Sequence, residues 1–564
     1  MEKVRAETQR TIGMTKPRLV TLIGSVVLFG LRALVWGENG ATPLAWGAKP
    51  FKAQREPSEV PDRLRASPAQ EPAAVQEKQR PGGTQESQKA TAAAEKSDDK
   101  SGKNVGPETK YVATVESLRK HPLPAWYADA KLGIFIHWGL YSVPGWAVPT
   151  PQGAGLSEEE YLKNNPYAEW YLNTLRLEGS PTQKYHKQNY GPNYDYYNFA
   201  DTFNREIQRW NPDAWARVFE LTGAKYVVLT TKHHDGFTLW PSEIPNPTLP
   251  ANRQHASRDL LGELKAAVEN RGMRMGVYYS GGYDWTFEPG PIRNWKQAKS
   301  VEPQSGEYGR YVDAQMRELI QKYKPAVLWN DIDYPKSGHP LEIIAEYYNT
   351  VPDGVVDDRF GLGFADFKSP EYETLMDISD KKWEECRGLG RSFGYNRVEG
   401  EKETIKKDEL IYLFVDVVSK NGNLLLDIGP QADGTIPGVQ FERLLALGKW
   451  MDINKEAIYG TRPWTRAEGE TKDGLQVRFT QKGEAVYAVL LGEPKAQTVV
   501  INGITAKEGA KLTLLGAGGV LEWKPQKNDL ELQLPAAGLP GQYAYTVKMV
   551  GVEDSEGKKD DEEK

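Results

Sequence analysis

Seven apolar runs in this chain finish in, or run straight into, residues that can do chemistry. LGIFIHWG carries His137 and YVVLTTKHHDG carries His233, His234 and Asp235. MGVYYSGG carries Tyr278 and Tyr279, and AVLWND ends on Asp331. GVVDDRF brings Asp358 and Arg359, SFGYNR brings Tyr395 and Asn396, and NLLLDIGP completes the set. Few of these runs carry such groups at their starts. Carboxylates, imidazoles, phenols and indoles gathered at one mouth suit a neutral polyhydroxylated ligand. Two-carboxylate glycoside hydrolysis is the reaction that needs little more.

The stretch AVLWNDIDYP poses the sharpest question. An ionised carboxylate costs several kcal/mol to bury unless it is hydrogen-bonded or paired, yet Asp331 and Asp333 follow a buried-looking strand directly. Two residues apart, they would share one face of a continuing strand, so the residues alone leave open which of them acts. Adjacent His233 and His234 would point to opposite faces if their strand persists. Three histidines from separate strands could gather round zinc, but no His-x-His, HExxH or cysteine cluster accompanies them, so neither metal nor cofactor is expected. A P-loop and a GxGxxG frame are likewise missing from the sequence.

Groups at the ends of parallel strands need a barrel to gather them. Helical patterns separate several runs. One begins at Asn211-Pro212-Asp213, carries Trp215, Val218 and Phe219, and closes at Gly223. Another begins at Ser257-Arg258-Asp259, carries Leu260, Leu261, Leu264 and Val268, and closes at Gly272. Caps, spacing and terminal glycines agree. Strands alternating with helices predict a (β/α)8-like, TIM-type α/β barrel, whose reactive groups stand at the C-terminal strand ends. After Trp464 the period becomes two, which predicts a small antiparallel β-sandwich. The expected organisation is 1–40 signal peptide or membrane anchor, 41–110 low-complexity linker, 111–460 barrel, 461–551 sandwich and 552–564 acidic tail.

At 564 residues the chain is too long for one core, and its net charge of −6 lacks the basic stripe of a nucleic-acid binder. The single cysteine, Cys386, excludes an intrachain disulfide. Leu19 to Leu31 is an uncharged apolar run behind Lys16 and Arg18, short for a span and suited to a signal peptide. Export to the periplasm or beyond is expected, with attachment to a membrane through an uncleaved anchor as the alternative. No aromatic residue occurs from Lys52 to Lys110, so that stretch reads as a disordered tether.

FIHWGLYSVP, AEWY, TTKHHDGFTLWPS, GVYYSGGYDW, LWNDIDYP, SFGYNR and NLLLDIGPQADGTIP occur in this order, and together they resemble the retaining α-L-fucosidases of glycoside hydrolase family 29. The resemblance covers roughly Leu123 to Trp464, and the sandwich is similar to the family's C-terminal domain. It implies that Asp331 is the nucleophile. DFKSPEYE is similar to the bacterial acid/base segment and points to Glu371, with Glu373 and Glu384 as competitors. The resemblance also implies a fucose pocket lined by His137, Glu169, Trp170, His233, His234, Tyr278, Trp329 and Arg359. The expected partners are fucosylated oligosaccharides or glycoconjugates. Two other readings remain at this level: a glycosidase of a related sugar such as an α-L-galactoside, and a catalytically silent glycan-binding protein. Leu140 to Glu160 reads as a mobile loop at the mouth.

Overall fold

A computed structural model describes residues 110–151 and 154–556. The N-terminal apolar run, the tether and most of the acidic tail lie outside the described residues. Among the described residues no helix is long and apolar enough to cross a membrane.

Seven parallel strands form one curled sheet: β1 (Leu132–Ile136), β2 (Tyr226–Lys232), β3 (Arg274–Ser280), β4 (Val327–Asp331), β5 (Val355–Val356), β6 (Trp383–Gly388) and β7 (Gly422–Ile428). Their order is β5-β4-β3-β2-β1-β7-β6, so β5 and β6 are the edges. The gap between those edges is closed by residues 366–372. Asp366 N–H donates to Val356 O at 3.0 Å on one side. On the other, Glu384 N–H donates to Lys368 O at 2.7 Å and Tyr372 N–H to Cys386 O at 3.1 Å. Parallel bridges pair Lys368 with Trp383 and Glu371 with Cys386. This irregular eighth stave completes the barrel and carries Glu371.

Alternation along the strands sorts side chains between the barrel interior and the helix layer. Phe135, Tyr226, Val228, Tyr278, Val327, Trp329 and Leu425 pack together inside. Their neighbours Ile134, Val227, Val277, Leu328 and Leu426 pack outward against the helices. Continuing the inward parity upward brings His137 after Phe135, Asp331 after Trp329 and Asp427 after Leu425. Gly133 has no room for a side chain, since a Cβ there would stand 2.4 Å from the Tyr226 ring. The predicted helices form as read. Pro212–Thr222 is capped by Asn211 and ended by Gly223 in the left-handed region, and Leu260–Glu269 is capped by Asp259.

Two expectations about strands need correction. SFGYNR is not a strand, and the sixth strand is WEECRG, whose charged letters disguise it. Glu384 and Cys386 face inward in its two-residue period, as their contacts with the barrel floor and with Arg359 show. The mouth segment is irregular over most of its described length, with regular structure only at its ends. Leu140–Ser142 is a 3-10 turn, most residues to Thr150 are buried, and Glu158–Lys163 is a helix with a Ser157/Glu160 capping box.

The second region has a five-stranded sheet of order β12-β15-β10-β9-β8 and a three-stranded sheet of order β11-β14-β13. Its strands are β8 (Arg462–Glu470), β9 (Gln476–Lys482), β10 (Ala485–Leu490), β11 (Thr498–Ile501), β12 (Ile504–Leu514), β13 (Trp523–Gln526), β14 (Asp529–Gln533) and β15 (Tyr545–Asp554). Val477, Phe479, Leu512, Leu530 and Met549 fill the space between them. Helix Gly438–Asn454 braces it against the barrel: Trp450 Nε1 donates to Ala544 O at 2.9 Å, and Thr546 Oγ1 to Asn454 Oδ1 at 2.7 Å.

Candidate active site

The sheet breaks off at Asp331, and the break separates the two aspartates. Ile332 and Asp333 both adopt positive φ, 58° and 60°, a strained region for an isoleucine. The turn is clasped from β3. Gly281 and Gly282 amides each donate to Asp331 O at 3.1 Å. A Cβ on Gly282 would lie 1.4 Å from Ile332 O, so no other residue fits there. The shared face expected for Asp331 and Asp333 therefore does not form. Asp331 stays on the inward face, while Asp333 turns toward Gly361.

The Asp331 carboxylate receives three donors. Tyr278 Oη donates to Oδ2 at 2.7 Å, Arg359 Nη1 to Oδ1 at 2.9 Å and Ile332 N–H to Oδ1 at 3.0 Å. Donors of this kind, one of them a cation, stabilise the ionised form in a buried place. Arg359 is itself fixed, with Nε on Ser369 Oγ at 3.0 Å, Nη2 on Ser369 O at 2.9 Å and its plane 4.4 Å above the Trp329 ring. The same guanidinium reaches Glu371, with Nη2 3.6 Å from Oε2. Burial pushes the Glu371 carboxyl up to about 7, and Asp331 and Glu169 add to the rise while Arg359 opposes it. One cation thus touches both a carboxylate that accepts three hydrogen bonds and a carboxyl that keeps its proton into the neutral range.

A wall of imidazoles faces this pair. His234 Nε2 stands 3.9 Å from Asp331 Oδ2. Its Nδ1 is 2.6 Å from Ser280 Oγ, whose own proton goes to Tyr283 O at 2.7 Å. Ser280 must therefore accept from Nδ1–H, which leaves the His234 Nε2 lone pair facing the site. The His233 ring lies 4.0 Å from that of His234 and 5.6 Å from that of His137. His233 and His234 would face opposite ways only if the strand persisted, and it does not: β2 shifts register between Thr230 and Lys232 and ends there. His137 Nδ1 is 2.7 Å from Asp427 Oδ1. Burial drives all three imidazoles well below their usual value, so each is neutral near pH 7.

Glu169 accepts from Gly394 N–H at 2.8 Å and Ser392 Oγ at 3.2 Å, and burial still lifts it to about 7 against those donors. Trp170 stands edge-on to His234, with ring centroids 5.6 Å apart at 90°. Trp329 sits lower. Its indole N–H donates to Glu384 Oε1 at 3.2 Å, and its upper face is covered by Arg359. Of the three glutamates weighed for proton transfer, Glu373 is exposed and Glu384 is at the barrel floor with Tyr127 and Tyr226; Glu371 shares Arg359 with Asp331.

Sequence reasoning missed several neighbours. Asp427 was visible only inside NLLLDIGP, although its inward parity with Leu425 could have singled it out. Phe393 packs 4.9 Å from His137, and Tyr167 Oη lies 3.5 Å from Glu371 Oε1. Both sit on irregular segments, where no period reveals the facing side. Among the described residues no group of three His, Cys, Asp or Glu converges as metal ligands.

Comparison with known proteins finds relatives for both regions. Residues 101–456 match the family model "Alpha-L-fucosidase", and residues 472–550 match "Alpha-L-fucosidase C-terminal domain". The chain is 34% identical over 467 residues to the tissue α-L-fucosidase of Homo sapiens, covering 79% of this chain and 93% of that one. It is 33% identical over 463 residues to an α-L-fucosidase of Dictyostelium discoideum, covering 79% and 93%. Among solved structures, a Thermotoga maritima α-fucosidase in complex with fucose superposes with a TM-score of 0.71 at 42% identity, covering 78% of this chain and all of that one. The same enzyme with a mechanism-based inhibitor gives 0.72 at 43%, with the same coverage.

Proposed function

Since this chain belongs to the α-L-fucosidase family and is a glycoside hydrolase acting on fucosylated glycans, we propose that it works with retention, through a covalent fucosyl–Asp331 intermediate. One observation carries the reading: a single guanidinium, Arg359, contacts both Asp331 and Glu371. That arrangement supports the short carboxyl separation of about 5–5.5 Å that retention requires, as against about 6.5–9.5 Å for inversion.

In the first step an Asp331 oxygen attacks C1 of the fucosyl ring. The C1–O bond to the leaving group breaks, and its electron pair goes to the leaving oxygen, which takes the Glu371 proton. Glu371 is now the carboxylate and Asp331 the ester. In the second step Glu371 removes a proton from water, the water oxygen bonds to C1, and Asp331 leaves as the carboxylate. The negative charge passes from Asp331 to Glu371 and back, and Arg359 touches both stations. It therefore stabilises either state without moving, which is electrostatic stabilisation with no reorganisation. Tyr278 holds Asp331 in line. His137, Glu169, Trp170, His233 and His234 are assigned to the sugar, the polar groups to its hydroxyls and Trp170 to an apolar face. Trp329 acts from beneath, through Arg359. We also assign the N-terminal apolar run to export, which sequencing of the mature N-terminus checks.

The test is the anomer released first from 4-nitrophenyl α-L-fucoside, followed by proton NMR before mutarotation. The α-anomer is expected; a first-formed β-anomer contradicts the mechanism.

A further inference from the structure

Asp427 lies near the end of β7, paired with Phe135 of β1 and Gly388 of β6, and its carboxyl points into the barrel under His137. Both side chains are buried, and one oxygen, Oδ1, lies 2.7 Å from His137 Nδ1. The other, Oδ2, is buried without a hydrogen-bond partner among the described residues. The contrast with Asp331, which has three donors, is plain. A carboxylate sealed from water with one oxygen unsatisfied is costly. A carboxylic acid in the same place needs only one acceptor for its O–H, and Nδ1 supplies it.

We propose that Asp427 is a positioning residue that works as a neutral acid: its O–H donates to His137 Nδ1, which fixes the ring proton on Nε2 and presents that N–H to a sugar hydroxyl. The proposal rests on the assignment of His137 to the sugar. The groups around the pair agree with it. Burial raises the Asp427 carboxyl well above its usual value, and Glu169 and Glu371 add to the rise, while the backbone N–H of His137 opposes it. Tyr141 and Tyr372, which also face Asp427, are neutral phenols near pH 7. On the other side burial lowers His137, and His233 and Arg359 lower it further. Neutral acid against neutral imidazole is the state these surroundings select.

A consequence concerns recognition. His234 turns a lone pair to the site, because Ser280 takes its Nδ1–H. His137 turns an N–H. The two rings therefore offer opposite polarity at one mouth, and a hydroxyl, which both donates and accepts, is the group that suits such a pair.

The experiment is nitrogen-15 NMR of the full-length enzyme labelled at histidine, with the His137 signals assigned by their loss in His137→Gln. Near neutral pH the wild type is expected to show a protonated Nε2 and a bare Nδ1. Asp427→Asn is expected to keep that tautomer, its amide N–H replacing the acid O–H, with the Kd for fucose within about threefold of wild type; Asp427→Leu is expected to lose the fixed tautomer and weaken fucose about tenfold. A His137 proton on Nδ1 in the wild type overturns the proposal, as does an Asn variant that loses fucose as severely as the Leu variant. Should the Leu variant not fold, the wild-type and Asn spectra decide. The expected tautomer together with unchanged fucose affinity in both variants overturns the link to the sugar.

Discussion

Glu384 gives the fold a pH signature that can be worked out from its surroundings. It lies at the floor of the barrel, where it accepts from Tyr127 Oη at 2.8 Å, from Tyr226 Oη, and from Trp329 Nε1 at 3.2 Å. Burial raises its carboxyl from 4.5 to about 7, against the pull of those hydrogen bonds and of the Lys382 charge. The folded state therefore holds this proton more tightly than the unfolded chain does. Its contribution to stability is fully present below about pH 4.5 and is lost as pH rises through 7. At 1.36 kcal/mol per pH unit, the loss amounts to about 3 kcal/mol. Glu384→Gln removes the titration and keeps the shape; one tyrosine hydroxyl turns round to accept from the new amide. The expected result is a variant whose urea midpoint gains on the wild type as pH rises from about 5 to about 8, by an amount equivalent to about 3 kcal/mol. Parallel pH dependences for the two proteins would refute the reasoning, because Glu384 would then be ionised in the folded state or solvated in a way the geometry does not admit.

The remaining predictions concern the chemistry. Glu371 titrates near 7 and must hold its proton to act as the acid, so kcat/KM is expected to fall as pH rises through about 7. Glu371→Ala should lower kcat/KM about 10²–10⁴-fold on an alkyl fucoside and far less on a nitrophenyl fucoside, whose phenolate leaves unprotonated, and that limb should vanish; equal losses on both substrates refute its role. Tyr278→Phe removes one donor from Asp331 and is expected to cut kcat about tenfold with KM little changed, measured by steady-state kinetics. Arg359→Lys keeps a cation but not the fork that touches Asp331 and Glu371 together, so kcat should drop at least tenfold. Activity near wild type in the lysine variant would show that bridging is dispensable.

How far the sequence reveals this molecule depends on where its local rules hold. The strands that carry Tyr278, Asp331 and Asp427, or lead into His137, are largely continuous apolar runs, so a buried parallel barrel was legible, as were helices with caps at Asn211 and Asp259. β6 was not, because Glu384, Glu385 and Arg387 read as surface letters; the first of these is satisfied by tyrosines from distant parts of the chain. Separating Asp331 from Asp333 needed the left-handed turn at Ile332, a strain imposed by the Gly281-Gly282 clasp and invisible to side-chain periodicity. His233 and His234 converge for a similar reason, a register shift that no alternation rule contains. Glu371 stands on a stave with almost no regular hydrogen bonding, and the residues pointed to it only through resemblance to a family.

The central claim is that Asp331 bonds to the sugar. Incubation of the enzyme with 2-deoxy-2-fluoro-L-fucosyl fluoride, followed by proteolysis and mass spectrometry, reads the bond directly. The fluorofucosyl mass is predicted on the peptide containing Asp331, with fragment ions placing it on that residue and none in Asp331→Gly. A label on Glu371, on Asp333 or on any other side chain would contradict the account.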